Sequence, residues 1–286
     1  MSLNEVVMNI DLKNIPCFGI AGNFTGHLEQ AGEAESFKNI QVTDENAPKA
    51  IFPTYFPKKS SVIPSFLNIF PFSPDTINYP EGEQKLQIES ECAIVFDVTW
   101  NQNLVSELKP LCFGASNDCS IRKEGAVKIS EKKNWGAFSK GFSSNAIKLD
   151  SFDENSILND YRIASYLFRD GKIFEYGENS AVKSYSYIYE KLKNWIINQF
   201  NTQTSTGPKE NLLSYLNSIG NPERIMISVG ATRYTDFGEK NFLQRGDEAF
   251  VILYPENLFS EGEIRKMAAS HDLSDEKISF LCEKIV

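Results

Sequence analysis

One segment of the chain, residues 86–98, constrains the fold more than any other. Its sequence, Leu-Gln-Ile-Glu-Ser-Glu-Cys-Ala-Ile-Val-Phe-Asp-Val, alternates as in a β-strand, so successive side chains point to opposite faces. Glu89 and Glu91 share the face that becomes apolar at Ala93 and Val95. Such a face is predicted to be covered, and two covered carboxylates repel each other unless a cation or a proton lies between them.

A third carboxylate extends this hypothesis. Asp118 lies in the segment Phe-Gly-Ala-Ser-Asn-Asp-Cys-Ser-Ile-Arg, just after a short apolar run. Together with Glu89 and Glu91 it would complete an all-oxygen site of the kind that Mg²⁺ or Mn²⁺ prefers. The alternation alone favours a plainer interpretation, two solvated acids at a strand end, and it does not place Asp118 beside them.

The pattern of apolar residues predicts a fold of the α+β class. Runs rich in Ile, Val, Phe and Tyr predict strands at residues 17–21, 86–98, 111–113, 126–129, 161–168, 225–229 and 249–254. Helical spacing predicts helices at residues 185–200, 209–218, 261–270 and 275–284, the last two with Ser260 and Ser274 as N-caps. Strands dominate the middle of the chain and helices follow, whereas a doubly wound sheet would alternate the two regularly.

Composition and charge exclude several classes of function. The chain has 286 residues, with 29 basic and 38 acidic side chains and a formal net charge of −9. Nucleic acids and anionic membranes require clustered positive charge, so neither is a predicted partner. The two histidines exclude a His-rich zinc site. The five cysteines include no Cys-x-x-Cys pair, which favours a reducing, cytoplasmic location over a disulfide framework.

Several common motifs are missing from the sequence. It contains no phosphate-binding loop, no dinucleotide-binding glycine fingerprint, no Gly-x-Ser-x-Gly elbow and no His-Glu-x-x-His helix. No apolar run approaches the ~18 residues of a spanning helix, and the first residues lack the pattern of a secretory signal. A folded protein that does not use these chemistries is predicted.

The order of several short motifs resembles the fumarylacetoacetate hydrolase family. That family's Glu-x-Glu strand, and the Asn-Asp-x-Ser-x-Arg segment that supplies its metal carboxylates, are similar to residues 89–91 and 117–122. Further motifs of the family, in the same order along the chain, are similar to residues 22–27, 56–58, 140–142 and 243–247. Each motif is weak alone, and their common order over roughly residues 27–255 carries the resemblance.

The resemblance implies a fold, a metal and a class of substrate. The expected fold is a mixed β-sandwich roll with peripheral helices, in a homodimer with Mg²⁺ or Mn²⁺. Residues 1–286 would form a single domain, in which 1–85 contributes to the site, 86–255 forms the β-roll core and 256–286 is a helical C-terminal extension. The implied substrate is a small anionic 2-oxo or 1,3-dicarbonyl acid, because a metal that chelates its oxygen atoms stabilises an enolate.

The resemblance also implies roles for single residues. The residues in the expected site are, as metal ligands, Glu89, Glu91 and Asp118; as catalytic groups, His27 and Lys140; and as substrate-binding groups, Arg122, Thr232 and Gln30. His27 would position or deprotonate a water molecule, and it is the sole candidate for imidazole chemistry once His271 is interpreted as a surface residue. Lys140 and Arg122 would bind anionic oxygen atoms.

Two departures from the family pattern bear on the activity. In many hydrolytic members a glutamate three residues after the histidine pairs with it, but this chain has Gln30 there. Glutamine can orient an imidazole and cannot stabilise its positive charge, so the base would be weaker. The family's Gly-Thr-Pro turn is replaced by residues 230–232, Gly-Ala-Thr, so Thr232 matches the family threonine only with a one-residue shift.

Three hypotheses follow for the function. The first is a metal-dependent hydrolase of a carbon–carbon bond in an acid such as an acylpyruvate or a fumarylacetoacetate-like compound. The second is a decarboxylase or isomerase of a 2-oxo dicarboxylic acid, which the weaker base at His27 favours. The third is a non-catalytic protein of the same fold that binds a carboxylate, which the altered segment 230–232 favours. Retention of the carboxylates with His27, Arg122 and Lys140 favours an enzyme.

Overall fold

A computed structural model of the chain describes residues 7–32, 44, 46–82, 85–123 and 125–286. Within these residues the strands are β1 (Val7–Met8), β2 (Cys17–Ala21), β3 (Ala50–Tyr55), β4 (Phe72–Ser73), β5 (Thr76–Ile77), β6 (Leu86–Gln87), β7 (Ser90–Asn101), β8 (Leu104–Asn117), β9 (Ser120–Ile121), β10 (Lys140–Phe142), β11 (Ala146–Lys148), β12 (Tyr161–Arg169), β13 (Lys172–Ala181), β14 (Arg224–Ser228), β15 (Glu248–Pro255) and β16 (Ser279–Ile285). The α-helices are α1 (His27–Gln30), α2 (Tyr189–Thr202), α3 (Leu212–Ser218), α4 (Asp236–Lys240) and α5 (Glu261–Ser270). Short 3₁₀ helices cover Leu12–Asn14, Ser65–Asn68, Ile129–Lys132, Ile157–Asp160 and Val182–Ser184.

The larger of the two main sheets is built around a long antiparallel hairpin. Its strand order is β1-β11-β8-β7-β14-β2-β3, and β10 pairs with both β8 and β4 at its side. In the central hairpin Ile94 of β7 lies opposite Phe113 of β8, and both side chains are fully buried. Burying one such side chain contributes roughly 1.5–3 kcal/mol to the stability of the folded chain. Because β7 and β8 bury several side chains, this hairpin supplies much of the core.

The smaller sheet packs face to face on the larger one. Its order is β13-β12-β15-β16-β5, and the backbone N–H of Ala115 in β8 donates a 2.9 Å hydrogen bond to Oγ of Ser279 in β16. One face of each sheet contributes to the largest apolar cluster, to which α2 adds Phe200 in edge-to-face contact with Phe18. Helix α5 packs its Ile264 and Ala268 against the outer face of the smaller sheet. The predicted α+β class is confirmed.

The alternation predicted for residues 86–98 is confirmed in its apolar part. Cys92 and Ile94 belong to the cluster between the sheets, whereas Ala93 and Val95 belong to a second cluster on the opposite face of the larger sheet. The strand itself is interrupted, since β6 ends at Gln87 and β7 begins at Ser90. Glu89 therefore lies in the break, where its direction does not follow from alternation.

The prediction of a helical C-terminal extension is half wrong. Helix α5 begins after Ser260, whose side chain accepts a hydrogen bond from the backbone of Glu263, as the N-cap assignment predicts. Residues 275–284 do not form the predicted helix, and Ser274 caps none: the chain enters β16 instead, between β15 and β5. Alternate residues of β16 are buried, the period of a strand, and pairing on both sides outweighs the helix propensity of its Leu, Glu and Lys residues.

Other boundaries differ for local reasons. The predicted strand at 126–129 is wrong: Val127 is exposed, and a 3₁₀ turn follows from Ile129. The predicted helix 185–200 begins one turn later, because Tyr185 is extended after the preceding 3₁₀ turn. The predicted helix 209–218 begins after Asn211, whose side chain accepts a hydrogen bond from Ser214 and caps it. None of the described helices has the length and apolar character needed to cross a membrane.

Candidate active site

Three carboxylates converge at one end of the β7–β8 hairpin. Pairing of Ser90 with Asn117 brings the start of β7 beside the end of β8, and the backbone N–H of Asp118 donates to the carbonyl of Glu89 at 3.0 Å. Oxygen atoms of Glu89, Glu91 and Asp118 lie within 4.8 Å of one another, and all three side chains are buried. The structure therefore brings together the three acids that the sequence could not place.

Three cationic side chains pair with this acidic triad, by which we mean Glu89, Glu91 and Asp118. Nη1 of Arg122 lies 2.9 Å from Oε1 of Glu89, and Nζ of Lys140 lies 2.9 Å from Oδ1 of Asp118. Nζ of Lys133 contacts both, at 2.5 Å from Oε2 of Glu89 and 2.7 Å from Oδ2 of Asp118. The resemblance placed two of these cations in the site, but Lys133 was not predicted.

The two glutamates respond differently to this environment. Burial alone would raise the pKa of Glu89, but the positive charges of Lys133 and Arg122 hold it well below its usual range. Burial raises the pKa of Glu91 well above its usual range, and the negative charges of Asp118 and Glu89 add to the rise. Glu91 accepts a 2.8 Å hydrogen bond from the backbone N–H of Gly230. The cations thus stabilise an ionised Glu89, while Glu91 is the member that favours a proton.

His27 is held by the loop that follows β14. It begins α1, and its Nδ1 lies 2.9 Å from the backbone oxygen of Thr232. Because a carbonyl oxygen only accepts hydrogen bonds, Nδ1 carries the proton and Nε2 carries the lone pair in the neutral ring. Thr232 is fixed in turn by Ser90, through a 2.8 Å contact between hydroxyls and a 3.1 Å bond from its own N–H. The structure thus connects His27 to the strand that carries Glu91.

Gln30 makes different contacts from those expected of the glutamate in the family pattern. Its Nε2 donates to the backbone oxygen of Tyr234 at 3.1 Å, and its Oε1 accepts from the N–H of the same residue at 2.9 Å. An amide can make both bonds and a carboxylate only one. Gln30 therefore clamps α1 to the loop that holds His27 and Thr232.

Arg122 is engaged by protein groups on each of its nitrogen atoms. Its Nε donates to Gln87 at 2.6 Å and its Nη2 to the hydroxyl of Tyr234 at 2.7 Å, in addition to the ion pair with Glu89. The ring of Tyr234 lies 5.3 Å from that of His27. Arg122 thus positions Glu89, and Tyr234, which the sequence did not single out, connects Arg122 with the loop that holds His27.

Lys140 is buried on the far side of Asp118. Besides its ion pair, its Nζ donates a 2.5 Å hydrogen bond to the backbone oxygen of Cys119 and lies 5.6 Å from the ring centre of Trp135. Burial lowers the pKa of Lys140, and the charge of Asp118 opposes that change. Strand β10 fixes its backbone through pairing with β4 and β8.

A glutamate from β16 lies behind the triad. Oε2 of Glu283 accepts a 2.7 Å hydrogen bond from Nδ2 of Asn117, whose Oδ1 accepts from the backbone N–H of Glu89 at 3.1 Å. Burial raises the pKa of Glu283 to about 8. The sequence did not identify this residue, because the segment that carries it was predicted as a helix outside the common core.

The donor set of the triad fits a hard divalent cation. Oε1 of Glu89 and Oδ2 of Asp118 are buried and accept no hydrogen bond of good geometry; each instead contacts one cationic nitrogen, at 2.9 Å and 2.7 Å. Carboxylate oxygens with available lone pairs are the ligands that Mg²⁺ and Mn²⁺ prefer. The ammonium of Lys133 lies between two of the three donors.

The site is closed to solvent in this structure. Glu91, Asp118 and Lys140 each expose 2% or less of their surface. Five cavities in the described part of the chain are lined neither by a residue of the triad nor by its three cations. A cavity of about 210 Å³ lies beside α1. Its lining includes Gly26 and Leu28, the residues on either side of His27.

Comparison with solved structures places the chain in a known fold. It matches 5-carboxymethyl-2-hydroxymuconate delta-isomerase from Mycobacterium smegmatis with a TM-score of 0.53 and 13% identity, over 99% of this chain and 82% of that one. It matches 2-hydroxyhepta-2,4-diene-1,7-dioate isomerase from Mycobacterium marinum with 0.51 and 13%, over 98% and 77%. It matches 2-keto-3-deoxy-D-arabinonate dehydratase, complexed with magnesium and 2,5-dioxopentanoate, with 0.51 and 14%, over 96% and 74%.

These matches confirm the predicted fumarylacetoacetate hydrolase fold and do not by themselves assign a reaction. No curated protein sequence matches the chain. A model for a family of unknown function, DUF5718, matches residues 33–285.

Proposed function

The chain belongs to DUF5718, a family of unknown function, and we propose that it is an enzyme that acts on a small 2-oxo or 1,3-dicarbonyl acid through an enolate. The observation that carries this proposal is the acidic triad, three buried carboxylates converging in one cluster beside His27. Buried carboxylates that serve only structure are normally satisfied by hydrogen bonds. Two oxygens of this cluster, Oε1 of Glu89 and Oδ2 of Asp118, accept no hydrogen bond of good geometry and are balanced instead by ion pairs with Arg122 and Lys133.

The metal belongs to this proposal. Glu89, Glu91 and Asp118 are the residues that would hold Mg²⁺ or Mn²⁺. Such an ion, when bound, polarises the carbonyl oxygens of the substrate and stabilises the negative charge of an enolate. The magnesium in the dehydratase of the same fold supports the choice of ion class.

His27 is the proposed base. The backbone oxygen of Thr232 fixes the tautomer in which Nε2 is unprotonated, and a neutral imidazole of that kind can accept a proton from a carbon beside a carbonyl group. Ser90 and Gln30 hold the loop residues 232–234 in place, so the ring is oriented before the substrate arrives. Exclusion of water from the closed cluster would strengthen these electrostatic interactions.

Isomerisation or decarboxylation is the form of the reaction that the geometry supports best. Both need a proton to leave or join carbon, or CO₂ to leave, and neither needs hydroxide. His27 is oriented by a neutral carbonyl, and Gln30 is committed to the backbone of Tyr234. A carbonyl stabilises an imidazolium less than a carboxylate does, so His27 is a weaker base for generating hydroxide, which decarboxylation and isomerisation do not use.

Hydrolysis of a carbon–carbon bond is the second candidate. Its support is the tautomer of His27, because an imidazole with its lone pair on Nε2 can also accept a proton from water. The third candidate, a protein that binds a carboxylate without turnover, is favoured by the closed cluster and the three ion-paired cations.

Deuterium exchange separates these three candidates. The protein is incubated in D₂O with oxaloacetate and with a series of acylpyruvates, with and without Mn²⁺ and beside protein-free controls, and the products are followed by proton NMR after the ion has been removed with EDTA; the outcomes below are rates above those controls. Loss of the C3 proton signal without cleavage indicates enolate formation, loss of CO₂ indicates decarboxylation, and appearance of pyruvate from an acylpyruvate indicates hydrolysis.

Glu89→Gln is the informative variant, and Glu107→Gln, an exposed acid on β8, is its matched control. We expect Mn²⁺-dependent exchange that falls at least about a hundredfold in Glu89→Gln and is unchanged in Glu107→Gln. Binding of the acids without exchange or cleavage would support the carboxylate-binding candidate. Exchange that is independent of metal, or unchanged in Glu89→Gln, would reject the proposed site.

Two further properties stay predictions. A homodimer is expected from the family resemblance, and light scattering of the purified protein at several concentrations would test it. Cytoplasmic localisation is expected from the cysteine usage, and cell fractionation would test it.

A further inference from the structure

Lys133 holds the position in the acidic triad where a shared cation is needed. Its Nζ lies 2.5 Å from Oε2 of Glu89 and 2.7 Å from Oδ2 of Asp118, and it also approaches the backbone oxygen of Asp118 at 3.4 Å. The side chain is 3% exposed. One ammonium therefore bridges two of the three proposed metal ligands.

The backbone around Lys133 is firmly anchored. Its N–H donates to the carbonyl of Ser130 at 3.1 Å, and the hydroxyl of Ser130 donates to Glu210 at 2.5 Å. The side-chain amide of the next residue, Asn134, donates to the backbone oxygens of Thr54 and Ile69 at 2.9 Å and 3.1 Å. Lys133 thus contacts the triad from a fixed backbone position, and the flexible part is the four-carbon stem of its side chain.

A lysine ammonium and a divalent cation cannot share these two oxygen atoms. Both would lie within contact distance of Glu89 and Asp118, and their like charges would repel strongly in a buried environment. Among the described contacts, Lys140 lies 2.9 Å from Asp118 and Arg122 lies 2.9 Å from Glu89, whereas Lys133 bridges both carboxylates.

We propose that Lys133 is an internal competitor of the divalent cation, which binds the acidic triad only when the Lys133 ammonium leaves Glu89 and Asp118. This inference rests on the proposed function, since it assumes that the triad is a metal site. It identifies Lys133 as the residue that sets the metal affinity of this chain. In the metal-free protein the ammonium also neutralises the cluster, which keeps the buried carboxylates paired.

Two lysine variants test this role with matched charge. Lys133→Met and Lys140→Met each remove one buried positive charge next to Asp118, but only the first frees the position shared by two ligands. Mn²⁺ is titrated into the full-length protein and into both variants, and binding is measured from the electron paramagnetic resonance signal of the free ion and by calorimetry. Thermal unfolding and circular dichroism check that each variant is folded.

The expected result is that Lys133→Met binds Mn²⁺ at least about tenfold more tightly than both the parent and Lys140→Met. Equal gains in the two variants would overturn the proposal in favour of a general charge effect. If the parent binds Mn²⁺ tightly and Lys133→Met binds it with the same affinity, the proposal about Lys133 is overturned, but the triad remains a metal site. If none of the three proteins binds Mn²⁺ at millimolar concentration, the triad is not a metal site, and that part of the proposed function falls as well.

A second substitution keeps the test available if Lys133→Met does not fold. Lys133→Gln removes the charge and retains a hydrogen-bond donor for one carboxylate, and Lys140→Gln is its matched partner. The same order of Mn²⁺ affinities is expected, with Lys133→Gln the tightest. Equal affinities in this pair would overturn the proposal in the same way.

Discussion

The side-chain amide of Asn117 connects Glu283 in the last strand to the backbone of Glu89, with a 2.7 Å bond to the former and a 3.1 Å bond to the latter. All three residues are buried. Asn117 therefore satisfies two polar groups that have no access to water, one of them a carboxyl.

Replacing Asn117 by Ala should destabilise the protein by about 2–4 kcal/mol. The substitution leaves the Glu283 carboxyl and the Glu89 N–H unpaired in the interior, and each unsatisfied group costs roughly 1–3 kcal/mol. Urea unfolding gives the free-energy difference. In the double variant Asn117→Ala with Glu283→Leu the loss should be smaller than the sum of the single losses, because the carboxyl is removed together with its partner. Additive losses would count against the coupling.

A methyl group at Gly141 should disturb the same region. A Cβ there would overlap Oε1 of Glu283 and lie 2.7 Å from Cδ1 of Leu281, so these two side chains, which are buried, would have to shift. Gly141→Ala should lower stability by about 1–3 kcal/mol. The control is Gly262→Ala in α5, where a Cβ meets nothing within 4 Å and alanine favours the helix, so a gain of roughly 0.5–1 kcal/mol is expected. Thermal unfolding measures both variants. If their stabilities changed in the same direction, this account would be contradicted.

Gln30→Glu should destabilise the protein at neutral pH, and the lost stability should return in acid. An ionised carboxylate cannot donate to the backbone oxygen of Tyr234 and would lie 3.1 Å from it. We expect a loss of about 1–2 kcal/mol near pH 7, which becomes smaller as the carboxyl protonates and regains a donor. Urea unfolding at several pH values measures this, with Gln30→Met as the control whose loss should not depend on pH. A pH-independent loss in Gln30→Glu would show that the donated bond is unimportant.

Ionisation of Glu210 should lower the stability of the fold as the pH rises from about 4.5 to 7. Burial raises the pKa of its carboxyl from 4.5 to about 7. In the folded chain the proton is held more tightly than in the unfolded chain, so ionisation favours unfolding, and stability is lost as the pH rises through this window. The full loss, about 3 kcal/mol by the shift, persists at higher pH.

The check is Glu210→Gln, which keeps the acceptor for Ser130 and removes the ionisation. Its stability relative to the parent should rise as the pH increases from 5 to 8. Glu107→Gln, at an exposed position on β8, should show no such change. A Glu210→Gln difference that is constant across this range would remove Glu210 as the source of the pH dependence.

The sequence predicted the acids of the site better than their counter-ions. Alternation pointed to Glu89 and Glu91, the motif order of the family resemblance added Asp118, and the structure brings the three side chains together. Lys133 was missed because Glu131-Lys132-Lys133 has the composition of a solvated charged turn. The sequence offers one signal, the spacing: Lys133 follows the apolar Ile129 by four residues, as on one helical face, and the structure buries both.

The strand β16 was missed for a related reason. Its inward side chains are Ser279, Leu281, Glu283 and Ile285, and the inward glutamate breaks the apolar period of two that identifies a strand. Pairing with β15 on one side and with β5, far away along the chain, on the other determines its conformation, and such contacts leave no trace in a local pattern. The role of Gln30 was missed in the same way, because its partner Tyr234 lies 204 residues away.

The position of β16 in the chain also bears on biosynthesis. A ribosome delivers the hairpin of β7 and β8, with Glu89 and Asp118 on it, long before it delivers Ser279–Ile285. Until then β15 has no neighbour on the side that β16 later covers, and an uncovered strand of this kind pairs readily with other chains. A translating chain therefore carries its acidic cluster without the supporting glutamate until β16 has been synthesised.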